Sequence, residues 1–321
     1  MPGTLVLTRD NARAIEAIRL GDVLRGGDVV EATMQLAGHL EPLYDVGVGP
    51  DGLVLGGSHT VRDPADGAWK HAADVVGAVH AHAREPVLFN LITSNHSMLI
   101  AAAEADSAAP TAWLEATDYM EIDDDDALLE GNLAALNRGA DGGLGIGASL
   151  SPPVSARAGK HGGARVQRRL KTSCFPAGAL VFKRVADAAA GGSANATVAV
   201  EDVRLGDVLV GGGAVTATMQ FVGDGEDLYA INGAVVSGSH SVRDPADGGV
   251  WKHAEDAHAA SRLESRAAVL YNFITEHHRV LLAGAPGAAE PSVEAADFLE
   301  VDEDAMLLAR NLARLNEQPR T

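Results

Sequence analysis

The sequence has little cysteine and no long apolar run. Cys174 is the only cysteine in 321 residues, so no disulfide can form within the chain and a disulfide-stapled fold is excluded. The most apolar stretch, Val87 to Ala103, is interrupted by polar residues such as Asn90 and His96 and falls short of a membrane span. The sequence therefore predicts a protein that does not cross a membrane.

Positive charge is also scarce. The chain has 25 Lys and Arg residues against 44 Asp and Glu, which gives a formal net charge of −19. Phosphate binding requires clustered Lys and Arg, so neither nucleic acid nor an anionic membrane is an expected partner. Charged residues such as Arg9, Asp10 and Arg13 stand where a secretory signal would need an unbroken apolar stretch. We expect a soluble protein, and its compartment stays open.

One sequence unit occurs twice in the chain. A repeat of this length is a domain duplication rather than a solenoid. The paired segments are Ile15–Leu24 with Val200–Leu209, Ser58–Gly67 with Ser239–Gly248, Trp69–Ala72 with Trp251–Ala254, and Asp118–Glu121 with Asp297–Glu300. The repeat predicts one domain at residues 1–138 and another at residues 174–321. Each is long enough to bury roughly two thirds of its unfolded surface.

Residues 139–173 separate the two predicted domains and are rich in Gly, Ala, Ser and Pro with no apolar period. This composition predicts a flexible linker. Its second half carries the basic residues Arg157, Lys160, Arg165, Arg168, Arg169 and Lys171. Such a run fits a nuclear localisation signal, a dibasic protease site or a solvated tether. We favour the tether, because basic runs of this length are weak motifs.

The apolar pattern within each unit favours a mostly β fold. Residues 215–221 alternate apolar and polar side chains, which is the period of a half-buried strand. The pair Asn232-Gly233 lies between two apolar segments and accepts the positive φ angles of a tight hairpin turn. Residues 87–92 and 269–274 are predicted to form further strands.

Helices are predicted at few places. The Ala- and His-rich segments 72–84 and 254–266 are expected to be short surface helices. Leucines spaced along one helical face recur near the end of each unit. They are Leu129, Leu133 and Leu136 in the first unit and Leu308, Leu312 and Leu315 in the second. The predicted fold class is thus two tandem β-rich domains, each with a short C-terminal helix.

Cys174 lies where the linker gives way to the second domain, beside Pro176 and Gly178. A lone cysteine is usually an inert, buried residue. At the first position of a domain, however, a thiol can attack the carbonyl of the preceding residue, Ser173, in an intramolecular reaction. The peptide bond would become a thioester. That step requires a proton for the leaving nitrogen, a donor for the oxyanion and an acceptor for the thiol proton.

Three polar residues of the second unit are candidates for these tasks. We predict that His240 protonates the leaving nitrogen and that the hydroxyl of Ser237 donates to the oxyanion. His278 is a candidate for activating the thiol or resolving the thioester. The alternative for His240 is a hydrogen-bonded core histidine in a strand turn.

The order of these residues resembles the Hint family, the hedgehog and intein self-processing domains. The match consists of Cys174, the element Ser237-Gly238-Ser239-His240 and the segment Tyr271 to His278. The resemblance implies a β-rich domain whose first cysteine attacks backwards. Serine stands at 237 where threonine is more usual, and Asn272 stands where an aspartate is common. No His-Asn pair followed by Cys, Ser or Thr ends the unit, so splicing is not expected.

The first unit lacks the nucleophile. Gly3 aligns with Gly178, which leaves nothing at the cysteine position, and Gly56 replaces Ser237. His59 persists, as do Asn95 and His96. We therefore expect the first domain to be a folded, inactive copy, since one fold readily hosts sites that have lost their chemistry. The competing explanation is a truncated gene model, in which the residues before Met1 are missing.

No metal or other cofactor is expected. His80 and His82 would face a single metal ion only on a strand, and on the predicted helix they point apart.

The leading hypothesis is a protein that cleaves its own Ser173–Cys174 bond through a cysteine thioester, an N-to-S acyl shift. Its substrate is its own chain, and the expected acyl acceptor is water, a small thiol or a small amine, because no apolar extension able to hold a sterol follows. Such a protein acts once per chain and is an enzyme only in that sense. The alternative is a non-catalytic pair of β modules that binds a partner protein through its acidic surface.

Overall fold

The computed structural model describes residues 1–49, 52–82, 85–102, 110, 112–118, 173–187, 192–223, 225–244, 246 and 248–298. The chain divides into two compact units, the first comprising Met1–Thr33 and Ala37–Val166 and the second Met34–Leu36 and Gln167–Thr321. Residues 139–172 of the predicted linker and both leucine-rich C-terminal segments lie outside the described residues. Within the described ranges, no helix has the length and apolar character needed to cross a membrane.

The first part of the chain is built from short strands joined by turns. Its strands are β1 Leu5–Leu7, β2 Ala12–Ala14, β3 Val30–Ala37, β4 Leu43–Asp45, β5 Val54–Gly56, β6 Thr60–Arg62, β7 Trp69–His71, β8 Val79–Ala81, β9 Val87–Thr93, β10 Ser97–Ala101 and β11 Leu114–Thr117. Turns of 3₁₀ helix occur at Ile15–Ala17, Gly38–Leu40 and Ala72–Asp74. A 6-stranded sheet has the order β2-β1-β10-β11-β6-β7, and a 3-stranded sheet has the order β5-β4-β8. β3 pairs with β9.

The second unit is also built from strands. They are β12 Phe175–Pro176, β13 Leu180–Asp187, β14 Gly192–Ala199, β15 Val208–Leu209, β16 Gly213–Val222, β17 Leu228–Ile231, β18 Ala234–Ser237, β19 Ser241–Asp244, β20 Val250–His253, β21 Ala260–Arg262, β22 Val269–Thr275, β23 Arg279–Ala283 and β24 Val293–Ala296. Turns of 3₁₀ helix lie at Val200–Asp202 and Ala254–Asp256. The main sheet runs β12-β22-β16-β15-β13-β23-β24-β19-β20, with β14 on β13, and a 3-stranded sheet runs β18-β17-β21. The predicted mostly β fold is confirmed.

The strand order of the two units is repeated. The run β10-β11-β6-β7 in the first corresponds to β23-β24-β19-β20 in the second, and the sheet β5-β4-β8 corresponds to β18-β17-β21. The duplicated sequence thus builds the same antiparallel pairings twice. Positions in these strands of the second unit therefore have counterparts in the first with which they can be compared.

The strands and hairpin predicted from sequence are present. β16 buries Val215, Ala217, Met219 and Phe221 and turns the intervening side chains outward. β17 and β18 form the predicted hairpin around Asn232 and Gly233, whose φ angles are +50° and +86°. Because only a few residue types tolerate positive φ, this pair specifies the turn.

The segment that contains Cys174 is anchored by one aromatic side chain. Phe175 is fully buried in the core of the second unit. Its ring stacks on Phe273 with centroids 5.4 Å apart. β12 pairs with β22 so that Phe175 lies opposite Tyr271. Burying a phenylalanine contributes about 1.5–3 kcal/mol, so this contact fixes the strand immediately after Cys174.

The surface helices predicted at 72–84 and 254–266 are wrong over the described part of these segments. Each begins with a single 3₁₀ turn and continues as a strand, β8 or β21. β8 pairs with β4, and β21 pairs with β17. The hydrogen bonds of these sheets override the helix propensity of the alanines, because tertiary contacts outweigh local propensity.

Candidate functional site at the Ser173–Cys174 peptide

The peptide bond between Ser173 and Cys174 is buried. Cys174 has no exposed surface and Ser173 is 3% exposed. The hydroxyl of Ser173 donates to the carbonyl oxygen of Ser239 at 3.0 Å. This segment is therefore held in the interior of the second unit by its own polar contacts as well as by the adjacent strand β12.

Ser237 contacts the nitrogen side of this peptide. The backbone N–H of Cys174 donates to Oγ of Ser237 at 2.8 Å, and the N–H of Ser237 donates to the carbonyl oxygen of Cys174 at 2.9 Å. Ser237 ends strand β18 and is fully buried. From the sequence, this hydroxyl is predicted to donate to the carbonyl oxygen of Ser173. The structure instead places it on the nitrogen of the bond.

His240 lies beside the same peptide, in the turn that follows β18. It is fully buried, and its ring centroid is 4.4 Å from that of Phe175. Nε2 lies 2.8 Å from the carbonyl oxygen of Ala296. A carbonyl only accepts hydrogen bonds, so Nε2 carries the proton of the neutral ring. Nδ1 is then the unprotonated nitrogen; within the described part of the chain it makes no hydrogen bond of ordinary geometry, although the ring lies beside the backbone of Cys174.

Burial sets the charge of His240. It lowers the pKa of the imidazole to about 4, although the carbonyl of Ala296 and the nearby backbone of Cys174 act in the opposite direction. His253 adds to the lowering by electrostatic repulsion. The ring is therefore neutral at pH 7, with Nδ1 available as a proton acceptor.

This pKa predicts an acid-sensitive fold. In the unfolded chain His240 becomes protonated below its ordinary pKa of 6.5. In the folded chain it stays neutral until the pH reaches about 4. The free energy of unfolding should thus fall as the pH decreases between these values, by about 3 kcal/mol for this group. Urea unfolding of Cys174→Ala at pH 7 and pH 4.5 measures the loss, and adding His240→Gln should make it smaller. An equal loss in both proteins would contradict the assignment.

Asn272 contacts the oxygen side of the peptide. Its Nδ2 donates to the carbonyl oxygen of Ser173. Its Oδ1 accepts the N–H of Phe273 at 2.8 Å, which settles which end of the amide faces the carbonyl. No role was predicted for this residue from the sequence. Asn90 occupies the matching position of the first unit and is buried as well.

His278 takes part in a different arrangement. It lies in the turn after β22 with a φ of +52°, and its Nδ1 is 3.3 Å from Oδ2 of Asp297. The same carboxylate accepts the N–H of Thr275 at 2.7 Å. The first unit has the matching contacts, since Oδ2 of Asp118 lies 3.1 Å from His96 and accepts the N–H of Thr93 at 2.7 Å. Because the copy without a cysteine keeps these contacts, they support a structural role in the turn.

The first unit retains only part of the site. Burial lowers the pKa of His59 to about 4, as in its counterpart, and the backbone of Thr117 takes the place of Ala296. The hydroxyl of Ser237 has no equivalent at Gly56. A Cβ there would lie 2.9 Å from Cγ of Glu41, so a serine would require this neighbour to move. The imidazole is therefore kept, whereas the hydroxyl is not.

His80 lies on a strand rather than on the predicted helix. Its ring centroid is 5.5 Å from that of His82 and 5.3 Å from that of Tyr44. Both imidazoles therefore share one face, contrary to the expectation that they point apart. In the described ranges of the chain, no group of three or more His, Cys, Asp and Glu side chains is placed to hold a metal ion.

Three side chains thus surround the Ser173–Cys174 peptide bond. Ser237 contacts the nitrogen, Asn272 contacts the carbonyl oxygen, and His240 lies against the backbone of Cys174. All three side chains are buried. Comparison of the sequence with models of known protein families finds no match, and comparison with curated proteins finds none either.

Proposed function

We propose that the second unit is a self-processing domain that cleaves its own chain between Ser173 and Cys174. The observation that carries this proposal is the hydrogen bond from the Cys174 N–H to Ser237 at 2.8 Å, made beside a neutral, buried His240. A peptide bond in an ordinary strand needs neither an imidazole at its backbone nor a hydroxyl on its nitrogen. Together with the order of motifs, these contacts support a Hint-like activity.

The chemistry begins with the thiol of Cys174. Sγ attacks the carbonyl carbon of Ser173, which is one residue away, so the reaction is intramolecular. Nδ1 of neutral His240 is suited to accept the thiol proton. The rotatable hydroxyl of Ser237 lies on the nitrogen and is suited to deliver its proton there as the C–N bond breaks, taking up in exchange the proton that the imidazolium of His240 received from the thiol. The products are a thioester on Sγ and the free α-amine of Cys174.

The acyl group is then released to an acceptor. Water gives a free carboxylate at Ser173, a small thiol gives a new thioester, and a small amine gives an amide. We propose that the reaction ends there, without splicing. In the first unit Gly56 replaces Ser237, and we propose that this unit does no such chemistry.

Intact-mass measurement of freshly purified full chain tests this function. We expect fragments 1–173 and 174–321 to accumulate, and to do so faster with added hydroxylamine or a small thiol. Both reagents resolve thioesters and leave ordinary peptide bonds intact at neutral pH, and any hydroxylamine cleavage at Asn232-Gly233 is distinguished by its fragment masses. A chain that stays whole with either reagent over days would support the alternative of a non-catalytic β module that binds a partner.

A further inference from the structure

The carbonyl oxygen of Ser173 accepts a hydrogen bond from the side-chain amide of Asn272. This oxygen is where negative charge develops when a nucleophile adds to the carbonyl carbon. We propose that Asn272 is the oxyanion donor of the acyl shift, an inference that rests on the function proposed above. The residue touches the reacting group directly, through its Nδ2.

The orientation of this amide is set by the strand and not by the carbonyl that it contacts. In the second unit, Oδ1 of Asn272 accepts the N–H of Phe273, the next residue, at 2.8 Å. In the first unit, Oδ1 of Asn90 accepts the N–H of Leu91 at 2.8 Å. The 321 residues include no counterpart of Ser173 and Cys174 in the first unit, yet its asparagine is held by the same contact. The donor is thus already aimed before any charge forms, which is the condition under which an oxyanion contact is most effective.

An asparagine can perform this task where an aspartate cannot. As Sγ bonds to the carbonyl carbon, the π electron pair moves to the oxygen, and an N–H of Asn272 donates to it. The pair returns when the C–N bond breaks, and the proton lost by the thiol ends on the nitrogen. An ionised carboxylate has no hydrogen to donate and would repel the oxyanion. An amide cannot accept the thiol proton, so that task falls to His240.

Substitution of Asn272 tests the proposal against a matched control. We expect Asn272→Ala to lower the rate of cleavage at Ser173–Cys174 in hydroxylamine by about 10²–10³-fold, the usual effect of removing one oxyanion donor. Asn90→Ala removes the equivalent internal contact from the first unit and should leave the rate unchanged. Thermal unfolding of both variants shows whether the two substitutions lower the stability of the fold by similar amounts.

The isosteric variant Asn272→Asp gives a readout that a purely structural role would not change. Its rate relative to the wild type should be lowest near pH 8 and should rise as the pH falls towards 5, because the protonated carboxyl regains a hydrogen that it can donate. This ratio remains decisive if Asn272→Ala fails to fold.

The outcomes separate this inference from the proposed function. Equal rates for wild type and both Asn272 variants, or a ratio for Asn272→Asp that does not change with pH, would overturn the role of Asn272 and leave the cleavage reaction standing. A wild-type chain that never breaks at Ser173–Cys174 would overturn the cleavage reaction and this inference with it.

Discussion

Replacing Cys174 by alanine is expected to abolish cleavage completely, with no fragment ending at Ser173 after prolonged exposure to hydroxylamine. The thiol is the nucleophile, and the chain holds no other cysteine that could take its place. The substitution removes one buried atom, so the fold should persist. Cys174→Ser is the sharper comparison, since its hydroxyl occupies the same position but is a much weaker nucleophile at neutral pH. It should cleave far more slowly than the wild type.

Intact mass over time measures both variants. Cleavage of Cys174→Ala at the wild-type rate would mean that a contaminating protease, and not the chain itself, breaks the bond. The region before Cys174 carries Arg168, Arg169 and Lys171, which is a plausible protease target. A mass that places the break beside one of these basic residues would point to the same conclusion.

Substitution of His240 is expected to have the next largest effect. His240→Gln retains an N–H able to reach the carbonyl of Ala296, which the imidazole contacts at 2.8 Å, but it removes the basic Nδ1. Loss of a positioned general base or acid lowers rates by about 10²–10⁴-fold. The rate of cleavage in hydroxylamine, measured at pH 7, tests this expectation.

The first unit supplies the control for His240. His59 has the same lowered pKa and the same kind of backbone partner, at Thr117, but no scissile bond lies beside it. His59→Gln should therefore disturb folding in a similar way and leave cleavage unchanged. If both variants slowed cleavage equally, the effect would be on stability, and the catalytic role of His240 would be withdrawn.

The local features of the fold could be predicted wherever a short segment determines its own structure. The hairpin at Asn232-Gly233 follows from the φ angles that these residues accept, and β16 follows from its alternating side chains. The failure at 72–84 and 254–266 has a physical cause. Those segments form strands only because β4 and β17 offer them unpaired edges, and such long-range pairing leaves no trace in local composition.

The residues that form the site could be predicted better than the contacts that they make. Ser237 and His240 were identified from their order in the chain, and both lie at the Ser173–Cys174 peptide. Ser237 was predicted to contact the carbonyl oxygen but contacts the nitrogen, because which atom of the peptide it meets depends on how β18 approaches the residue before β12. Asn272 went unassigned because a buried asparagine on a strand has no functional signature until its partner is known.

One measurement tests the central claim most directly. The wild-type chain is incubated in hydroxylamine, digested with a protease, and the peptide ending at Ser173 is analysed by mass spectrometry. A thioester at Cys174 predicts a Ser173 hydroxamate, because hydroxylamine captures the activated acyl group in place of water. A free carboxylate alone, or no peptide ending at Ser173, would contradict an acyl shift onto the sulfur of Cys174.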